Sequence, residues 1–382
     1  MPVGECLASG VQTSNVARSR LHSTIPTVSV AGRTLTVRKD LLRTRFGISG
    51  LSTTASVTVP TMVPEPTEIL VFQQKLHGLP VERLVDALDE RVGSATVSLA
   101  ITDEAIDEKL PDATVVVGRT ITTEQLELAE SLELFACSFA GTDHLPLDEL
   151  TDRGITVTNA GGVHASNAAE QAIGGLLALT RDLFRARRQQ ADGVWQNFQS
   201  GELAGGTATV VGLGAIGSAI AERLQPFDVT IRGVRHSPEK GGPVDEVYSY
   251  DEFEQAIVDV DAVLLACPLT ETTRNLLDRS AFQVLHPETI LVNVARGGVV
   301  DTEALLYALR WNDIGGAVLD VTDPEPLPPE HPLWGFENVL ITPHNAGYTP
   351  EYYERLADIL AENVDRAREN GEWIGLRNQI VP

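Results

Sequence analysis

The chain has 382 residues, enough for two domains of ordinary size, and at 43% hydrophobic it can build real cores. No apolar run approaches the ~18 residues of a membrane-spanning helix, and a net charge of −24 disfavours nucleic acid and anionic membranes as partners. Three widely spaced cysteines, Cys6, Cys137 and Cys267, fit buried thiols in a reducing cytoplasm rather than a disulfide framework or a metal site.

The charge is unevenly spread. Residues 1–61 carry seven basic side chains and two acidic ones, whereas the remainder carries 22 basic against 51 acidic, with only Lys75, Lys109 and Lys240 as lysines. Self-repulsion on so acidic a body opposes folding in dilute buffer, and at ~1 M salt the screening length falls to about 3 Å. The body therefore reads as adapted to a salty cytoplasm such as that of a halophilic archaeon. Residues 1–61, rich in Ser, Thr and Arg, admit three readings: a transit peptide, a disordered basic arm, or a stretch upstream of a native start at Met62. The third is preferred, because globular patterning begins at MVPEPTEILVF.

From residue 68 strand and helix alternate. Strands are expected over 68–72, 95–100, 113–118, 134–138 and 155–159, with helices over 81–91, 123–131 and 146–152. The turn FAGTDH (139–144) follows the fourth strand, where the free N–H groups of small residues can hold a carboxylate; an ordinary βα turn fits equally well. A long helix is expected over 165–189, with Ala169, Ile173, Leu176, Leu177, Leu183 and Phe184 on its apolar face. Arg181, Arg185, Arg187 and Arg188 crowd its end and favour its C-terminal dipole.

TATVVGLGAIGSAIAERL (207–224) then supplies strand, glycine turn and helix in succession. Gly212, Gly214 and Gly217 have G-x-G-x-x-G spacing, with Ala215 and Ile216 completing the loop. The first glycine permits the turn, the second admits a pyrophosphate to the backbone, and the third lets the helix pack on the strand. Strand before and helix after are the context that makes this a dinucleotide site. The next strand, 228–234, ends eighteen residues past Gly217 at Arg235, His236 and Ser237, where an NAD site would place a carboxylate. A guanidinium forks onto a 2′-phosphate that a carboxylate would repel. NADP(H) is thus the expected cofactor and NAD(H) the second; a surface arginine beside a site tolerant of either is the alternative.

Further strands are expected over 261–267, 289–294, 317–321 and 339–342, and a final helix over 350–370 returns to the first lobe. The fold class is α/β, with two Rossmann-like, doubly wound parallel-sheet lobes. A substrate lobe (62–163 and 345–382) is split by a nucleotide lobe (164–344). Arg296, Glu325 and His344 each fall just beyond the carboxyl end of a nucleotide-lobe strand, so they can converge at one end of the cleft. Arg296 can bind and polarise a 2-oxo acid. His344 can give a proton to its oxygen, with Glu325 stabilising the imidazolium. Asp320 is suited to accept from the nicotinamide carboxamide.

These stretches, VVGLGAIG, CPLT with Thr273 nearby, NVARGGVVD (293–301), LDVTDPEPLP (319–328) and TPHNAG (342–347), resemble the D-isomer-specific 2-hydroxyacid dehydrogenase family from about residue 68 onward. The resemblance implies Arg296, Glu325 and His344 as the catalytic triad, and Asp320 as a nicotinamide ligand. Pro268, Thr273 and Ala295 are then expected at the cofactor, and Ala140 and Gly141 as carboxylate anchors beside Arg296. It also implies a homodimer formed around 165–189. Thr322, where an aromatic is common, and Asn345 depart from the pattern. The expected reaction is NADPH-linked reduction of a 2-oxo acid to a D-2-hydroxy acid. A 3-phosphoglycerate dehydrogenase is the nearest alternative, and a dinucleotide-sensing corepressor is the alternative of another class. Glu325 argues against a formate dehydrogenase, where Gln is usual.

Overall fold

The computed structural model describes residues 27–30, 33–36 and 67–382. The expectations for residues 1–61 lie outside the described residues, apart from two short strands, β1 (Thr27–Val30) and β2 (Arg33–Thr36). These pair antiparallel, with Thr27 opposite Thr36.

A second compact unit, Pro64–Glu369 with Trp373–Pro382, contains two sheets. In the first, β3 (Glu68–Phe72), β4 (Thr96–Ala100), β5 (Val115–Gly118), β6 (Leu134–Cys137) and β7 (Thr156–Thr158) run parallel in the order β7-β6-β5-β3-β4. Helices α1 (Glu82–Asp89), α2 (Asp103–Lys109), α3 (Thr123–Leu128) and α4 (Leu147–Asp152) connect them. VVVG and LFAC are buried throughout, as strands covered on both faces must be. Thr102 caps α2, and Thr122 with Gln125 forms a capping box on α3, satisfying N–H groups that a helix start leaves open.

Helices α5 (Ala165–Thr180) and α6 (Leu183–Ala191) lead into the second sheet. Its elements are β8 (Thr207–Val211), α7 (Ala215–Leu224), β9 (Thr230–Val234), β10 (Glu246–Tyr248), α8 (Phe253–Ile257), β11 (Ala262–Leu265), α9 (Arg279–Val284), β12 (Ile290–Asn293), α10 (Thr302–Trp311), β13 (Gly316–Leu319) and β14 (Val339–Ile341). All seven strands are parallel, in the order β10-β9-β8-β11-β12-β13-β14. Strand order reverses at β8, and the crevice at that switch point is where such sheets take ligands. Val263, Leu265, Leu291 and Leu319 pack under α8–α10 on one face, while Val210, Leu264, Val292 and Val318 pack under α5 and α7 on the other. A Cβ on Gly175 would lie 2.5 Å from Val318, so this glycine sets how closely α5 approaches β13.

Helix α11 (Tyr352–Asn370) carries the chain back, and β15 (Gln379–Val381) joins the first sheet beside β7. The fold is thus α/β with two parallel-sheet, Rossmann-like lobes, the first completed from the C-terminus. One strand was not expected, and one expectation needs correction. β15 is antiparallel, because the chain reaches that edge from the side opposite to a βαβ crossover. The single helix expected over 165–189 is two helices, broken where Asp182 takes a left-handed conformation (φ 51°) that an Asp tolerates better than most side chains. There Gly201 N–H donates to Thr180 O and Arg181 donates to Gly201 O, both at 2.9 Å, closing the end of α5. None of the residues of α6 is buried.

Candidate active site

At the glycine loop, Gly212 has φ 93°, and a Cβ there would come within 2.6 Å of the Cys267 backbone. A Cβ on Gly217 would lie 1.8 Å from Gly212 O, so α7 rests directly on the turn. Gly214, by contrast, has nothing within 4 Å of its Cβ position, and with Ala215 it is exposed; Ile216 is half-buried. Gly214 is also the extended N-cap of α7. The open backbone at a helix N-terminus, with close packing everywhere else, fits a pyrophosphate. Burial pushes the neighbouring Cys267 thiol up to about 11, so it stays protonated and serves as packing.

Arg235 follows β9 beside this turn, since Gly212 N–H donates to Val234 O at 2.8 Å. One guanidinium N–H donates to Gly241 O at 2.5 Å, which steadies the half-buried side chain. His236 is exposed and Ser237 half-buried. Thr273 is 2% exposed, and its hydroxyl donates to Pro268 O at 2.6 Å and accepts from Thr270 N–H at 2.8 Å. It therefore shapes the loop beyond β11, and exposed Pro268 is the member of that pair at the surface.

The triad candidates lie beyond three adjacent strands. Arg296 follows β12, and one of its N–H groups donates to Ala295 O at 2.6 Å. Its remaining guanidinium donors have no intrachain acceptor among the described residues. Ala295 is buried, and Asn293 holds the turn by accepting from Ala295 N–H at 3.0 Å and donating to Arg296 O at 3.1 Å. Glu325 and His344 are both part-exposed, and Glu325 Oε1 lies 2.6 Å from His344 Nδ1. The Arg296 turn touches the Glu325 loop, because a Cβ on Gly297 would lie 2.0 Å from Thr322 O.

Asp320 is 2% exposed, and three donors converge on it. Thr342 Oγ1 (2.5 Å) and Asn345 N–H (2.8 Å) reach Oδ1, while Ala346 N–H (2.9 Å) reaches Oδ2. It also accepts through its backbone O from His344 N–H at 2.8 Å. In this state Asp320 anchors the loop that carries His344, whose backbone is left-handed (φ 50°), and only Oδ2 keeps acceptor capacity for a carboxamide.

Ala140 and Gly141 are exposed beyond β6 in the other lobe. Ala140 O accepts from Asn159 Nδ2 at 2.6 Å, and the Gly141 Cβ position is open. No hydrogen bond joins either residue to Arg296 or His344 among the described residues. The structure thus brings Glu325 and His344 into contact, sets Arg296 one strand away, and leaves the 139–141 turn on the facing lobe. Sequence reasoning missed Asn293, although an Asn inside the apolar run ILVNVA is a usable signal. It also missed Thr342 as a partner of Asp320.

A family model described as D-isomer specific 2-hydroxyacid dehydrogenase, NAD binding domain, matches residues 173–346. A glyoxylate reductase of Thermofilum pendens is 39% identical over 253 residues, covering 64% of this chain and 74% of that one. A D-3-phosphoglycerate dehydrogenase of Methanocaldococcus jannaschii is 33% identical over 72% of this chain, which spans 54% of that protein's length. Among solved structures, a D-isomer specific 2-hydroxyacid dehydrogenase from Xanthobacter autotrophicus in complex with NADPH and MES is 27% identical. It superposes with a TM-score of 0.65 over 82% of this chain and 98% of that one. With the strand-end Arg, Glu and His and the glycine loop in the same chain, these likenesses give one answer: the protein belongs to the D-isomer-specific 2-hydroxyacid dehydrogenase family.

Proposed function

We propose that the enzyme reduces a 2-oxo acid to the D-2-hydroxy acid, with NADPH preferred over NADH. The observation that carries this reading is the 2.6 Å contact of His344 Nδ1 with Glu325 Oε1, one strand from an Arg296 whose outer donors are open. When bound, the reduced nicotinamide supplies the hydride. Arg296 grips the carboxylate and polarises the carbonyl. Glu325 holds Nδ1, so Nε2 carries the proton that passes to the substrate oxygen. Asp320 keeps His344 in place by anchoring the loop on both sides of it. The open N–H groups of Ala140 and Gly141 add carboxylate contacts from the other lobe.

The NADPH preference rests on Arg235, His236 and Ser237 standing where a carboxylate would be needed for NADH. Exposed apolar groups after α5, with Leu183 at 51%, Val194 at 46% and Trp195 at 99%, support a homodimer through this region. The acidic body supports adaptation to a salty cytoplasm. No helix among the described residues is long and apolar enough to cross a membrane.

The test is a panel of glyoxylate, hydroxypyruvate, pyruvate, branched 2-oxo acids and 3-phosphohydroxypyruvate, each with NADPH and NADH, at low and molar KCl. Turnover of a small 2-oxo acid with higher kcat/KM for NADPH, rising with salt, is expected. Preference for the phosphorylated substrate would transfer the assignment to the phosphoglycerate enzymes. Tight NADPH binding without turnover of any substrate would favour a sensor.

A further inference from the structure

Outside the triad, one cluster of titratable rings has no role yet. His77, from the loop after β3, stacks on His164 (centroids 5.3 Å apart, 21° between planes) and on Tyr348 (4.6 Å, 18°). Tyr352, at the start of α11, tilts against both imidazoles at 4.5 and 5.2 Å, and its hydroxyl donates to Ser138 O. The backbone N–H of Thr349 donates to His77 Nδ1 at 3.4 Å. His77 has φ 53°, so the loop presents this ring from a constrained backbone. Three stretches far apart in sequence, at residues 77, 164 and 348–352, therefore meet in one stack.

Residues 345–349 continue directly from His344. On the nucleotide side this strap is held by Asp320, through the N–H groups of Asn345 and Ala346, and by Asn167, whose side chain donates to Ala346 O at 2.5 Å. On the substrate side its partner is His77, through Tyr348 and Thr349, while His164, at the start of α5, packs against Gly347 from the nucleotide side.

We propose that His77 is a positioning residue for the proton donor: it ties the substrate lobe to the strap that begins at His344 and so fixes the direction of the His344 ring. The stack works with uncharged rings. Burial holds both histidines below the ordinary 6.5, His164 at about 4, so neither is protonated at neutral pH. Filling this space needs only apolar side chains. Two desolvated imidazoles, one accepting from Thr349, instead give the strap a directional contact.

The inference rests on His344 as proton donor and is tested with His77→Ala and Tyr348→Ala in the full-length enzyme, using the best 2-oxo acid and NADPH. Tyr348 is 57% exposed, so its removal leaves the cores intact even where His77→Ala fails to fold. Both variants are expected to lose at least about tenfold in kcat, with KM for the oxo acid and Kd for NADPH unchanged. The solvent deuterium isotope effect on kcat should rise as proton transfer becomes more limiting. His77→Phe, which keeps a ring but not the acceptor, should recover only part of kcat. Unchanged kcat in Tyr348→Ala, or kcat falling only in step with melting temperature and KM, overturns the inference while the proton-donor reading stands. A wild-type enzyme without turnover would defeat that reading, and this inference with it.

Discussion

Arg296 shows what a single side chain contributes to the site. One N–H is held by Ala295 O at 2.6 Å and the turn beneath is braced by buried Asn293, so the outer face of the guanidinium is aimed before substrate arrives. On the proposed roles, Arg296→Ala removes both the carboxylate grip and the polarisation of the carbonyl. KM should rise and kcat should fall together, lowering kcat/KM by about 10²–10⁴; steady-state kinetics with the best oxo acid would check this. The placement of Arg296, Glu325 and His344 in loops beyond β12, β13 and β14 was legible in the sequence because each follows an apolar run that reads as a strand. The second job of Asp320 was not legible, since its donors come from Thr342, Asn345 and Ala346 on the loop after the neighbouring strand. The ring stack on His77 was hidden for the same reason, its partners being 87 and more residues away.

Two glycines separate a site effect from a folding effect at the scale of the loop. Gly214 has open space at its Cβ position and an ordinary negative φ, whereas a Cβ on Gly297 collides with Thr322 O and lies 2.6 Å from Asp323 N. Gly214→Ala should therefore leave the melting temperature unchanged and weaken NADPH binding, as read by fluorescence titration. Gly297→Ala should lower stability by about 1–3 kcal/mol and kcat as well, because the displaced loop carries Glu325. Equal effects of both on melting would contradict this division. Strands were readable because a parallel sheet covered on both faces demands continuous apolar runs such as VVVG and ILVN. α2 was not: DEAIDEK buries only Ile106 and offers no period to detect. The break at Asp182 was also invisible, because the apolar spacing runs on across it.

For the molecule as a whole, acid stability is set partly where the lobes meet. The His164 ring is held at about 4 by burial first, and then by the charges of His77, Arg355 and His344. The backbone of Gly347 opposes this without making a full hydrogen bond to Nδ1, which stays buried and unpartnered. In the unfolded chain the same ring titrates near 6.5. As pH falls through that value the unfolded state binds a proton that the folded state refuses. The contribution is therefore complete above about pH 6.5 and is lost progressively down to about pH 4. At about 1.4 kcal/mol per pH unit the ceiling is about 3 kcal/mol, reduced by the partial solvent access of the ring. Melting temperature measured from pH 7 to pH 5 should fall more steeply in the wild type than in His164→Phe, and parallel curves would show that His164 is not the group responsible.

The assignment of His344 as proton donor is tested most directly by comparing wild type with His344→Ala, using NADPH and the best 2-oxo acid in molar KCl and resolving the product by chiral chromatography. The wild type should yield only the D-hydroxy acid, and the variant should lose about 10²–10⁴ in kcat while still binding NADPH. Near-full kcat in His344→Ala, or an L product from the wild type, would contradict it.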